Sequence, residues 1–144
     1  MGFMTPQWRP EIKTLKKMRK MKGCMKIYSS LGPPLLRISL GTLLLWFGVW
    51  QMVSPESWAA YVPGWADAVA DTTLLITANG VFEITLSLLL LSGFAVRISA
   101  LLAFGHVLFI ALNLGYNDVM IRDLALAAAF LAVFFNGPDR LSNT

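Results

Sequence analysis

At 144 residues the chain has the length of one domain, yet 56% of it is hydrophobic and only 14% charged, a balance too apolar for an ordinary soluble fold. Its formal charge of +4 sits mostly ahead of the first long apolar run, so the expected partner is the lipid bilayer and not nucleic acid. The single cysteine, Cys24, excludes a disulfide framework and a CxxC dithiol centre.

Residues 1 to 30 form a basic segment in which Arg9, Lys13, Lys16, Lys17, Arg19, Lys20, Lys22 and Lys26 face the one acid, Glu11. Trp8, Ile12, Leu15, Met18 and Met21 recur at near-helical spacing. The pattern reads either as an amphipathic helix on anionic headgroups or as upstream sequence before a start at Met4, Met18, Met21 or Met25. The apolar run that comes next is of full span length, without a small-residue cleavage pattern, and is read as a retained membrane helix, not a signal peptide.

Residues 31 to 144 are expected to form the membrane domain. It has four stretches nearly free of charge: Leu35 to Val53, Thr73 to Gly93, Ile98 to Gly115 and Val119 to Asn136. Each has about 18 to 21 residues, enough at ~1.5 Å per residue to cross a hydrocarbon layer of ~30 Å. Pro33 and Pro34 are placed just before the first helix and Pro55 just after it.

The loop from Ser54 to Thr72 has Glu56, Asp67 and Asp71 but no Lys or Arg, whereas the second connection has Arg97 and the tail Arg140. This distribution places both termini in the cytoplasm. Short second and third connections make the fold all-α, an up-down-up-down four-helix bundle with termini in. Trp58, Tyr61 and Trp65 in the first loop suit short interfacial helices or a lid. Gly41 and Gly48 on the first helix, and the alanines of the fourth, permit close helix contact.

Glu83 lies at the middle of the second span and His106 near the middle of the third. An isolated carboxylate at that depth is unfavourable by several kcal/mol and must face protein. Both residues lie roughly 15 Å from the cytoplasmic side at ~1.5 Å per residue, which brings them together. Asn79, Glu83 and Ser87 make one polar stripe, and Ser99, His106 and Asn113 a second, giving an internal polar seam.

Arg122 and Asp123 open the fourth helix, level with Asn113; Asp123 is read either as part of the seam or as a favourable charge at the helix N-terminus. Trp46 and Trp50 lie one turn apart, Trp46 deeper than the usual interfacial level, and are read as packing on the seam or lining a cavity. The seam as a whole reads as structural glue or as a pocket in which Glu83 and His106 handle protons and Trp46, Trp50, Asn79, Asn113, Arg122 and Asp123 bind substrate. Two ligating residues without HxxxH or ExxH spacing do not make a metal site.

Arg37 before LGTLLLWFG, the stretch NGVFEITLSLLLLSGFAVRISALL, and IRDLALAAAF followed by GPDRLS together resemble the DoxX family of small four-helix membrane proteins, over roughly residues 33 to 142. The resemblance implies a likeness to the membrane subunit of a thiosulfate:quinone oxidoreductase. It therefore implies an inner-membrane protein of a bacterium or archaeon, a subunit or partner of an oxidoreductase system that takes quinone as its cofactor and has a protein partner. On that reading Glu83 and His106 supply protons, Trp46 stacks on the quinone ring and Arg122 attracts an anionic donor. No haem, flavin or iron-sulfur signature is present, so no intrinsic cofactor is expected. The alternatives are a non-catalytic anchor or assembly subunit, and a small-molecule or proton transporter without an evident inverted repeat.

Overall fold

The structure, a computed structural model, describes the backbone of residues 12–142 and the side chains of residues 30–142 apart from Asp67. The side chains that carry the amphipathic reading of residues 1 to 30 lie outside the described residues. The chain divides into two compact units, Met1–Gly32 and Pro33–Thr144, and the second holds the polar clusters and the cavity described below.

Among the described residues four α-helices carry the fold: α1 (Ile12–Val53), α2 (Thr72–Ser92), α3 (Val96–Asn113) and α4 (Asp118–Asn136). Among the described residues three segments are long and apolar enough to cross a membrane, namely Ser30–Val53, Thr72–Ser92 and Val96–Asn113. α4 occupies the fourth expected stretch with Asp118, Arg122 and Asp123 in its first two turns, and is not among the three. No strand occurs among the described residues.

The expected start of the first helix near Leu35 is corrected, because Pro33 and Pro34 lie inside α1. A proline ring holds φ near the helical value but removes one N–H donor and crowds the carbonyl four residues earlier; the helix nevertheless runs through the pair from upstream sequence. The loop contains short helical turns, as expected from its aromatics, and both are 3-10: Pro55–Tyr61 and Ala66–Ala68.

Local chemistry accounts for the other boundaries. The Asp71 carboxylate accepts from the backbone N–H groups of Thr73 and Leu74, at 3.0 and 3.3 Å, and so caps α2. The Asn117 side chain does the same for α4, accepting from Met120 N at 2.8 Å. Between α2 and α3 only Gly93 to Ala95 intervene, with Gly93 at φ 74° and Ala95 at φ 49°. Left-handed residues let the chain turn within this short link, at some strain for alanine.

All four helices contribute to one apolar core, in which Leu40 and Leu44, Leu86 and Leu90, Ala100 and Ala103, and Phe130 and Val133 are buried. α3 packs most extensively on α4, the small side chains of Ala100, Ala103, Ala111 and Ala127 allowing near-complete burial. α1 meets α2 at Gly48 and Gly80. A Cβ on Gly48 would lie 2.8 Å from the Gly80 carbonyl oxygen, and one on Gly80 2.9 Å from that of Gly48, so only glycines permit the crossing.

Candidate functional site

The close α1–α2 crossing brings Gln51, one turn beyond Gly48, against the polar face of α2. Its Nε2 donates to Glu83 Oε2 at 3.1 Å, while its Oε1 accepts from Asn79 Nδ2 at 2.8 Å. Asn79 Nδ2 also donates to Glu83 Oε1 at 3.1 Å. From α3, His106 Nε2 approaches the same Oε1 at 3.2 Å. Glu83 is only 4% exposed and Gln51 likewise 4%, so three helices place amide and imidazole nitrogens around one buried carboxyl group. The His106 ring also makes an edge contact with Phe82, centroids 5.0 Å apart.

This cluster forms part of the wall of a cavity of about 350 Å³ bounded by all four helices and by the 55–71 loop. Phe47, Phe109, Phe130 and Ile110 supply apolar wall, and Trp58, Tyr61 and Trp65 come from the loop. Trp65 Nε1 donates to Asn113 Oδ1 at 3.3 Å and its ring meets Phe109 edge-on, which ties the loop to α3. Trp58 packs against Phe47 and Tyr61. From α4, Arg122 and Asp123 complete the wall. Arg122 Nε donates to Asp123 at 2.9 Å, and its guanidinium lies over the Phe47 ring, 5.7 Å from the centroid.

The structure therefore brings Asn79, Glu83, His106, Arg122 and Asp123 to one cavity. Asn113 reaches it through Trp65. Trp46 and Trp50 stand apart: they stack on each other at 6.1 Å, are 65% and 45% exposed, and neither lines the cavity. The tryptophans at the cavity are those of the loop. Asp123 is not the α4 cap, a role held by Asn117; it is a buried carboxylate on the cavity wall.

The two expected stripes touch at one level only. Ser87 Oγ donates to Ile84 O and Ser99 Oγ to Ala95 O, each within its own helix. Sequence reasoning missed Gln51 and Phe47. The available signal was Gln51 as a polar side chain inside an apolar run, three residues after Gly48 and on the same helical face. No cluster of metal-ligating residues occurs among the described residues.

A family model described as DoxX matches residues 32–115, more than half of the chain. The chain belongs to the DoxX family. No curated protein and no solved structure gives a significant match. The matched residues of this DoxX chain contain Gln51, Asn79, Glu83 and His106 and end at Gly115, before α4.

At the other end of the DoxX chain the buried side chain of Arg37 gathers α1, the C-terminal end of α2 and the tail. Its Nε donates to Asp139 Oδ2 at 2.7 Å and its Nη2 to Asp139 Oδ1 at 3.2 Å, while Nη1 donates to the carbonyl oxygens of Leu90 and Leu91. The guanidinium beside Asp139 holds that carboxyl below its ordinary range, against the opposing effect of burial. Gly137, at φ 70°, ends α4 directly against Arg97, whose Nε would lie 2.7 Å from a Cβ there.

Proposed function

We propose that this DoxX chain is a four-helix protein of the bacterial or archaeal cytoplasmic membrane, with both termini inside, that acts as the membrane component of a quinone-linked oxidoreductase system. The observation that carries the reading is the aromatic-walled cavity with the Glu83–His106 pair at its wall. Its volume of about 350 Å³ falls among small-molecule sites, roughly 300 to 1,000 Å³. The mostly apolar lining suits a ring-bearing molecule with a few polar atoms better than an inorganic dianion, whose desolvation such walls would not offset. Arg122, already paired with Asp123, is less available to a free anion than an unpaired arginine would be.

Reduction of a quinone takes up two protons along with two electrons. A carboxyl–imidazole pair on the wall of a quinone-sized cavity suits that requirement. Electrons would come from a protein partner. The test is quinol formation by the protein purified with its native partner, reconstituted in liposomes with ubiquinone-1. Glu83→Gln is expected to lower the rate by ~10²-fold, the scale of a lost acid–base pair, with folding intact. No quinol from the wild-type complex, or an unimpaired variant, would sink the reading.

One observation favours the anchor or assembly role instead: both Glu83 oxygens are partnered by protein, as a hydrogen-bonded glue network requires. The cavity itself is what that role does not need. A transporter gains little support, since the cavity meets Leu44, Val107 and Phe130 of the packed core.

A further inference from the structure

The donors around Glu83 are not interchangeable, and their arrangement distributes the roles within the pair. Gln51 Oε1 is committed to Asn79, so the Gln51 NH2 group must face Glu83. Asn79 Nδ2 is shared between Gln51 and Glu83. Oε2 is thereby held by Gln51, and Oε1 by Asn79 and His106. An entering molecule finds no Glu83 oxygen without a donor already on it. His106 differs: Nε2 is engaged with Glu83, while Nδ1 makes no hydrogen bond among the described residues. Nor is Nδ1 sealed in, for Trp58 Nε1 is the one buried side-chain polar atom lacking a partner among those residues.

We infer that His106 Nδ1 is the atom that exchanges a proton with the molecule in the cavity, and that Glu83 is a positioning carboxylate held by a Gln51–Asn79 clamp. The identity of that molecule rests on the quinone reading above. A buried carboxylate that fixes one imidazole nitrogen leaves the other to accept or give a proton, the division of labour known from hydrolytic triads. In the delivering direction, with electrons supplied by the protein partner of the quinone reading, the imidazolium gives its Nδ1 proton to an oxygen of the occupant that is passing from carbonyl to hydroxyl. The neutral ring that remains keeps its Nε2–H on Glu83, and Nδ1 regains its proton from hydronium of the bulk solvent. In the reverse direction Nδ1 takes the hydroxyl proton. The other ionisable groups on the cavity wall are Tyr61, Arg122 and Asp123; the last two are paired with each other.

His106 is the chain's only histidine, which makes the inference readable without any activity. The full chain, purified on a histidine-free tag and labelled with 15N-histidine in lipid nanodiscs, gives ring resonances that belong to His106 alone. In ligand-free wild type the neutral ring is expected as the Nε2–H tautomer. In Gln51→Met that tautomer loses its dominance while thermal unfolding still shows a folded chain; if this variant does not fold, Asn79→Ser is read in its place. Menadione is expected to shift the Nδ1 resonance and leave Nε2 nearly unmoved. A wild-type ring protonated on Nδ1 instead, a tautomer ratio indifferent to loss of the clamp, or a menadione shift confined to Nε2 would each overturn the assignment. Menadione binding is followed separately by quenching of tryptophan fluorescence. Absence of quenching would count against the quinone reading alone, because the ligand-free tautomer still decides the role of the clamp.

Discussion

Two buried polar constellations divide this molecule, and individual side chains explain both. Arg37 is 1% exposed, and every partner in its hydrogen bonds to Asp139, Leu90 and Leu91 replaces water that such a charge would otherwise need. Asp139→Asn would leave the guanidinium buried with its counter-charge gone, and is expected to destabilise the fold by ~3 to 5 kcal/mol, the scale for breaking a buried pair. Thermal unfolding in detergent measures it. Because Arg37 lowers the Asp139 pKa from its ordinary 3.8, the folded state binds this proton more weakly than the unfolded state. The contribution is then fully present above about pH 3.8 and is lost as pH falls through the lowered value. Wild type should lose stability in that acid window, and Asp139→Asn should not show the same loss.

The helix crossing that builds the site depends on a backbone contact. Gly48 and Gly80 let α1 and α2 approach until a single methyl would lie under 3 Å from the facing carbonyl oxygen. Gly80→Ala must therefore separate the helices and pull Gln51 from Glu83. It is expected to cost ~1 to 3 kcal/mol, as overpacking does, and to reproduce the tautomer change of Gln51→Met. Gly105 supplies the contrast, for nothing lies within 4 Å of its Cβ position. Gly105→Ala should be neutral or stabilising by up to ~1 kcal/mol, as helix propensity dictates. The loop is held more lightly. Trp65→Phe removes its hydrogen bond to Asn113 but keeps the ring against Phe109, and should raise the exchange rate of loop backbone amides with little change in melting temperature.

For the whole chain, the proposed orientation can be tested by labelling. In a Cys24→Ser background, a cysteine at Ser57 should react with an impermeant maleimide added to intact cells, and one at Leu141 only after the membrane is opened. The reverse pattern would overturn the termini-in topology.

The helical segments, the family resemblance and the pairing of Glu83 with His106 were legible in the chain because they rest on local quantities. Apolar runs of span length and the depth of a residue along a helix need only the count of residues between two points. The resemblance also singles out Arg37 and the GPDRLS tail, without showing that the two are hydrogen-bonded. What residue spacing could not supply was rotation about each helix axis. Trp46 and Phe47 are neighbours in the chain, yet one stacks outside on Trp50 and the other lines the cavity; only the Gly48–Gly80 contact sets which face turns inward. The same contact decides that Gln51, a lone polar residue in an apolar run, becomes the hold of α1 on Glu83. Tertiary packing made those choices because, with apolar surface on every side of a helix, the hydrophobic pattern hardly distinguishes one face from another, and close contact between small residues does.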